Sequence, residues 1–218
     1  MRKITIITII LFIGKFCFGQ PEIVIPDSKE EESFMQLKEG AIKGEIAYFS
    51  YTGSLMTESD SFPKTKVNDI TIVSCTDSSA TFSKDNLKIN LRSVKFDTAG
   101  HKLTYDPKQP FLIMIDDKYF WGTDGGVPKE RIESVTLQNG KHRITLPDSA
   151  ISGIYEPNFC DNDKETKKVS HISCKTFQSV DKKRIYIYMQ NSDGAGGYEL
   201  TWIIQDNKYY GRIIDYGF

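Results

Sequence analysis

SVTLQNGKHRITL, residues 134–146, is built on a two-residue period. Asn139-Gly140 suits a two-residue type I′ turn, which needs positive φ at both central positions. That turn pairs Gln138 with Lys141, Leu137 with His142, Thr136 with Arg143 and Val135 with Ile144. One face of the predicted ribbon then carries Val135, Leu137, His142, Ile144 and Leu146. The other carries Ser134, Thr136, Gln138, Lys141, Arg143 and Thr145. So clean a division describes a hairpin with one face on a core and the other in water.

The same alternation extends through most of the chain, in DITIVSC, LKINL, FLIMI, RIYIYMQ and YELTWIIQ among others. These runs are rich in Ile, Val, Thr, Tyr and Phe and are separated by Gly, Asn, Asp and Pro, as strands and turns are. In IKGEIAYFSY, Ile42, Ile46 and Tyr48 alternate with Lys43 and Glu45, so a first strand is expected from Ala41 onward. Near the C-terminus, a turn at Asp206-Asn207 pairs Ile204 with Tyr209, Trp202 with Gly211 and Leu200 with Ile213. Trp202 would then shield a glycine. The opposite face also holds Ile203, Tyr210 and Ile214, so this hairpin is apolar on both sides and is expected as a central strand pair. The best helical candidate is short: Pro147 to Ile151, opened by Pro and ended by Gly153. The expectation is an all-β, mainly antiparallel protein, a β-sandwich or related barrel with at most short helical turns. Residues 41–218 would form a single sandwich-like domain, and a subdomain break, if there is one, falls near residues 106–110.

The N-terminus reads MRKITIITIILFIGKFCFGQ. Arg2 and Lys3 precede an apolar run from Ile4 to Gly14. That run is shorter than the ~20 residues a membrane-spanning helix needs. Small or slender positions before Gln20 complete the pattern of a secretory signal peptide over residues 1–19. A signal ending in Phe-Gly before Gln resembles those of secreted proteins in Bacteroidota-type bacteria, and the resemblance implies an export route for these residues only. Lipidation at Cys17 is disfavoured, because Lys15 and Phe16 occupy positions where small residues are needed. The mature chain is expected in the periplasm or outside the cell, with no membrane span. Residues 20–40, with the run Lys29-Glu30-Glu31-Glu32, read as an N-terminal tether, with Phe34, Met35 and Leu37 available to dock. Cleavage removes Arg2, Lys3 and Lys15, leaving 25 of the 28 basic residues against 29 acidic ones, a net charge of −4. Mild, dispersed acidity argues against a nucleic-acid surface. Cys75, Cys160 and Cys174 survive cleavage, and Cys160 with Cys174, closest in sequence, is the expected disulfide, buried free thiols being the alternative.

Candidate chemistry is sparse. NSDGAGGYELTW, residues 191–202, has three glycines but leads into a strand rather than a helix, so it is not a phosphate loop. As a calcium loop it supplies Asn191 and Asp193 but fails at its outer ligand positions. Asp161 and Asp163, on alternate residues with Glu165, are the other calcium candidates, and interleaved lysines make a solvated loop the simpler reading. Cys160, His171 and Cys174 lack a fourth zinc ligand, and neither an HExxH pair nor a G-x-S-x-G elbow is present. No cofactor is expected. Aromatic residues beside carboxylates and amides remain: Trp121 and Asp124 in one Gly-rich loop, and Tyr155, Glu156 and Asn158 in another. Such groups offer an apolar face and hydrogen bonds to a sugar or a peptide. The functional expectation is an exported β-domain that binds a protein or glycan ligand rather than a catalyst. The alternative is a secreted, glycan-directed hydrolase using Asp116, Asp117, Asp124 or Glu156 in the 116–126 and 155–165 loops.

Overall fold

A computed structural model describes residues 32–60, 63–163, 165–166, 168–191, 194 and 196–216. The predicted signal peptide, the first part of the tether and Asp193 lie outside the described residues. The chain is mostly antiparallel β, as its alternation predicts, and its main sheet is large and nearly closed into a barrel.

The elements run α1 (Gly40–Phe49), α2 (Tyr51–Asp60), β1 (Val67–Thr76), β2 (Ser79–Lys84), β3 (Leu87–Lys95), β4 (Leu103–Tyr105), β5 (Leu112–Ile115), β6 (Glu130–Asn139) and β7 (His142–Thr145). Then follow α3 (Asp148–Ile151), β8 (Cys160–Asn162), β9 (Val169–Ile172), β10 (Cys174–Ser179), β11 (Arg184–Asn191), β12 (Tyr198–Gln205) and β13 (Lys208–Tyr216). The nine-stranded sheet has the order β13-β12-β11-β10-β1-β2-β3-β6-β7, and β4–β5 and β8–β9 form two small ribbons. Residues 106–110, the expected place of any subdomain break, join β4 to β5. β1 serves both halves of the sheet. Its residues Val67–Ile70 pair with β10, and from Thr71 onward it pairs with β2, with a bulge between Ile72 and Ser74.

Between β7 and β13, the two ends of the sheet order, lies α3. Trp202 Nε1 donates to the Ala150 carbonyl at 2.8 Å, and Arg212 Nη1 donates to Ala150 O and Ser152 O at 3.1 and 2.8 Å. Inside the barrel, Phe82, Ile89, Leu91, Val135 and Leu137 from one half meet Ile187, Met189, Leu200, Trp202 and Ile214 from the other. A second cluster lies outside it. There Phe34, Ile42, Ile46 and Ala47 cover Phe177, Tyr186, Tyr188, Ile203 and Ile213 on the outer face of β10–β13.

That cover overturns the reading of residues 41–50 as a strand: Gly40–Phe49 is helical. Ile42, Ile46 and Phe49 are spaced four and three, one face of a helix, as well as fitting part of a two-residue alternation. Glu45 completes the face and is buried, 5% exposed. Its carboxylate takes Arg184 Nε at 2.7 Å and Nη2 at 2.9 Å, and accepts from the Tyr186 hydroxyl. A sequence carrying glycines at positions 40 and 44 has little helical propensity. The helix rests on tertiary packing instead.

Both hairpin registers need correction. In β6–β7 the loop is Gly140-Lys141, with Gly140 at φ 59°, and the pairs are Asn139–His142, Gln138–Arg143, Leu137–Ile144 and Thr136–Thr145. The shift is even, so the apolar and polar faces remain as predicted. His142, however, ends up exposed rather than on the core. In β12–β13, Asp206-Asn207 is the turn, with both residues at positive φ, and Ile204 faces Tyr209. Tyr210 then bulges, so Trp202 pairs with Arg212 rather than Gly211, and Leu200 with Ile214. The pair is not central: β13 ends the sheet order, and its second apolar face is covered by the N-terminal helices.

The expected Cys160–Cys174 disulfide does not form. Cys160 is bonded to Cys75, their Cα atoms 6.2 Å apart, which ties β1 to β8. Cys174 is a buried free thiol, pushed up to about 12 by desolvation, which keeps it protonated.

Candidate functional site

The two ends of the barrel are built differently. Three two-residue turns, Asp85-Asn86, Gly140-Lys141 and Asp206-Asn207, gather at one end. Gly140 N donates to Asn86 O at 3.0 Å, and Asn139 Nδ2 to Asn207 Oδ1 at 3.0 Å. The other end carries the long connections: residues 96–129, 152–173 and 192–197. Binding residues concentrate in such loops when a rigid sheet holds them.

These long loops are bound to one another. Trp121 N donates to Gly153 O at 2.9 Å and Tyr155 N to Trp121 O at 3.0 Å, so the two predicted loops lie side by side. Gly122 has φ 122°, and a Cβ there would run into the Tyr155 carbonyl. A Cβ on Gly196 would strike the Thr123 backbone, so this glycine permits close loop packing.

Trp121 and Tyr155 are therefore neighbours, but they do different things. Tyr155 is buried with Phe96, Leu112 and Ile115, edge-on to Phe96 and Phe120 at centroid distances of 5.0 and 5.5 Å. It packs the loops together. Trp121 is half-buried and lines a cleft of about 360 Å³ together with Glu32, Asp117, Lys118, Tyr119 and Ser152. Arg212 closes one side, its guanidinium 5.6 Å from the Trp121 ring centroid and its Nε 2.9 Å from Glu32. Asp124 is exposed and Asn158 half-buried, and neither lines this cleft.

The carboxylates offered for hydrolysis have other partners. Glu156, at φ 46°, accepts the backbone N–H groups of Lys129 and, at 3.4 Å, Glu130. Asp116 accepts from His101 Nδ1 at 2.7 Å and Lys102 N at 2.9 Å, and these bonds hold its carboxyl below the usual range. Asp117 is paired with Lys102 Nζ at 2.7 Å. Of the calcium candidates, Asp163 closes its own turn by accepting from Thr166 N and Oγ1 at 2.7 and 2.8 Å. Asp161 is exposed, opposite His171 in the β8–β9 ribbon. Among the described residues, no three His, Cys, Asp or Glu side chains are grouped to hold a metal.

A second cleft, of about 320 Å³, escaped the sequence reading. It lies where α1 turns into α2 over the ends of β9, β10 and β11, and is lined by Tyr48, Tyr51, Tyr188, His171, Lys175 and Gln190, among others. Its signal was the aromatic run Tyr48-Phe49-Ser50-Tyr51, which a strand assignment would have divided between two faces. Behind it, Glu199 is 2% exposed and caps α2, accepting from Tyr51 N and, at 2.9 Å, from Thr52 N. Compared with protein-family models, curated proteins and solved structures, the chain matches none.

Proposed function

We propose that this chain is an exported β-domain that binds a ligand rather than transforming one, and that the ligand enters the Trp121 cleft. The observation that carries the reading is the composition of that cleft: the Trp121 indole and Tyr119 beside Lys118, the Asp117–Lys102 pair and the Arg212–Glu32 pair. An apolar face ringed by hydrogen-bonding groups fits a sugar ring or a peptide segment. Against the hydrolase alternative, Glu156 and Asp116 spend their oxygens on neighbouring backbone N–H groups, where a catalytic pair needs free carboxylates some 5–10 Å apart. Export is supported by the N-terminal sequence, and the Cys75–Cys160 disulfide is compatible with it.

Thermal unfolding of the exported protein against a panel of neutral oligosaccharides and peptides tests the reading. A ligand at a hundred times its Kd adds about 2.7 kcal/mol, or roughly 5–10 °C. The shift is expected to disappear in Trp121→Ala, and also in Tyr119→Ala. Hydrolysis of any panel sugar, or a shift that survives both substitutions, would overturn it.

A further inference from the structure

Two arginines of this fold hold glutamates, and they hold them differently. Arg184 grips Glu45 at two points, Nε donating to one carboxylate oxygen at 2.7 Å and Nη2 to the other at 2.9 Å. That is the full fit of a guanidinium edge to a carboxylate. Arg212, which lines the Trp121 cleft, is buried more deeply still, with 9% of its side chain exposed. It nevertheless meets Glu32 through Nε alone, at 2.9 Å. Its Nη1 donates to the carbonyls of Ala150 and Ser152. Nη2, on the same edge as Nε, makes no hydrogen bond among the described residues.

The seam of the barrel, and not Glu32, therefore sets the orientation of this guanidinium. A cation so deeply buried requires an acid partner, and it finds one on a segment anchored elsewhere. Glu32 is 36% exposed and stands two residues before Phe34, whose buried ring and N–H bond to Asp215 fix the chain. Ser33 between them is extended, at φ −80° and ψ 157°. Glu32 can thus leave Arg212 while Phe34 keeps its place. Asp117, the other acid lining the cleft, is already paired with Lys102.

We propose that the Nε–Nη2 edge of Arg212 selects the ligand of the Trp121 cleft, that this ligand is an acidic peptide, and that Glu32 stands in for the peptide's glutamate until it arrives. The inference rests on the reading of that cleft as the binding site and adds the class of its ligand. The incoming carboxylate accepts from Nε–H and Nη2–H together, as Glu45 does from Arg184, so a two-point contact replaces a one-point contact. A peptide is favoured over an acidic sugar because the group already on this arginine is a glutamate side chain beside extended backbone.

The test is calorimetric titration of the full chain and of Glu32→Gln, at constant ionic strength, with a blocked peptide of consecutive glutamates, its glutamine counterpart and oligoglucuronate. The glutamate peptide is expected to bind Glu32→Gln about tenfold more tightly than the unmodified chain, and the glutamine peptide to bind at least about tenfold more weakly. Trp121→Ala and Arg212→Lys, each combined with Glu32→Gln, are expected to lose the glutamate peptide. Glu32 is a partly exposed side chain outside the sheet, so folded Glu32→Gln is expected, and circular dichroism verifies all variants. Equal affinities of Glu32→Gln and the unmodified chain overturn the stand-in role. Equal binding of the glutamine peptide overturns the role of the carboxylate, and tighter binding of oligoglucuronate overturns the peptide assignment. Absence of glutamate-peptide binding to Glu32→Gln at about 10 mM overturns the proposal, while a neutral ligand whose thermal shift needs Trp121 would leave the reading of the cleft standing. Glutamate-peptide binding that survives Trp121→Ala overturns that reading instead.

Discussion

The β6–β7 and β12–β13 hairpins have similar strands and two-residue turns, yet they live in different surroundings. Val135, Leu137 and Leu146 of the first are buried, while Gln138, Arg143 and Thr145 are exposed to water. In the second, Trp202 and Leu200 enter the barrel while Ile203 and Ile213 enter the helix-covered cluster outside it. Loss of alternation on a strand means that a second layer covers it, and here the layer is α1 and the single turn Phe34–Gln36. A strand can therefore be buried on both faces and still end the sheet.

The contrast can be broken most completely at the C-terminus. A chain ending before Tyr209 loses the partner of β12 and is expected not to fold, so soluble, cooperatively unfolding material from such a truncation would contradict the picture. Next in size is the polar anchor of the covering layer. Glu45→Ala removes the carboxylate from a half-buried Arg184 and from Tyr186, and breaking a buried pair on one side costs about 3–5 kcal/mol. Urea titration should show that loss; a cost under about 1 kcal/mol would mean that water replaces Glu45 readily.

The same layer should make stability fall with rising pH. Asp215 accepts from Phe34 N at 3.0 Å and faces Glu199 across the β12–β13 pair. Burial first, and then the Glu199 charge, push its carboxyl up to about 7, the Phe34 N–H acting in the opposite direction. In the folded state Asp215 thus keeps its proton above the pH at which the unfolded chain loses it, near 3.8. Its contribution is complete below about pH 4 and is lost as pH rises through about 7, by a few kcal/mol at most. Asp215→Asn should flatten the stability profile between those values, and an unchanged slope would remove Asp215 as its source. The smallest effect belongs to the wet face of the first hairpin. Arg143→Ala is expected to stay within about 0.5 kcal/mol by the same urea measurement.

These cases also show what local sequence can carry. The faces of β6–β7 were legible because an apolar residue at every second position has one geometric meaning. The register was not: Asn139-Gly140 and Gly140-Lys141 are both acceptable turns, and the neighbouring Asn86 carbonyl, which takes the Gly140 N–H, belongs to another hairpin. The Tyr210 bulge left no mark in composition. Glu45 looked like the polar member of a strand because its partner is Arg184, 139 residues away. Nearness along the chain misassigned the disulfide for the same reason, since the fold brings Cys75 to Cys160 across 85 residues. Of the candidate site, the loops around Trp121 and Tyr155 could be picked out by their chemistry. Their adjacency depended on tertiary structure, and the Tyr51 cleft showed in the sequence only as the aromatic run Tyr48-Phe49-Ser50-Tyr51.

The division of β1 between two partners sets a timetable. Its second half can pair with β2 as soon as a tight turn closes, but Ile70 must await Thr176, 106 residues further on. At about 5–20 residues per second, a ribosome takes about 5–20 s to supply that partner. Throughout this interval the Val67–Ile70 segment has no native neighbour on that side and offers a template to other nascent chains. Asp69, whose side chain remains exposed in the finished fold, puts a charge in the middle of that segment and opposes such pairing while the chain is still being made.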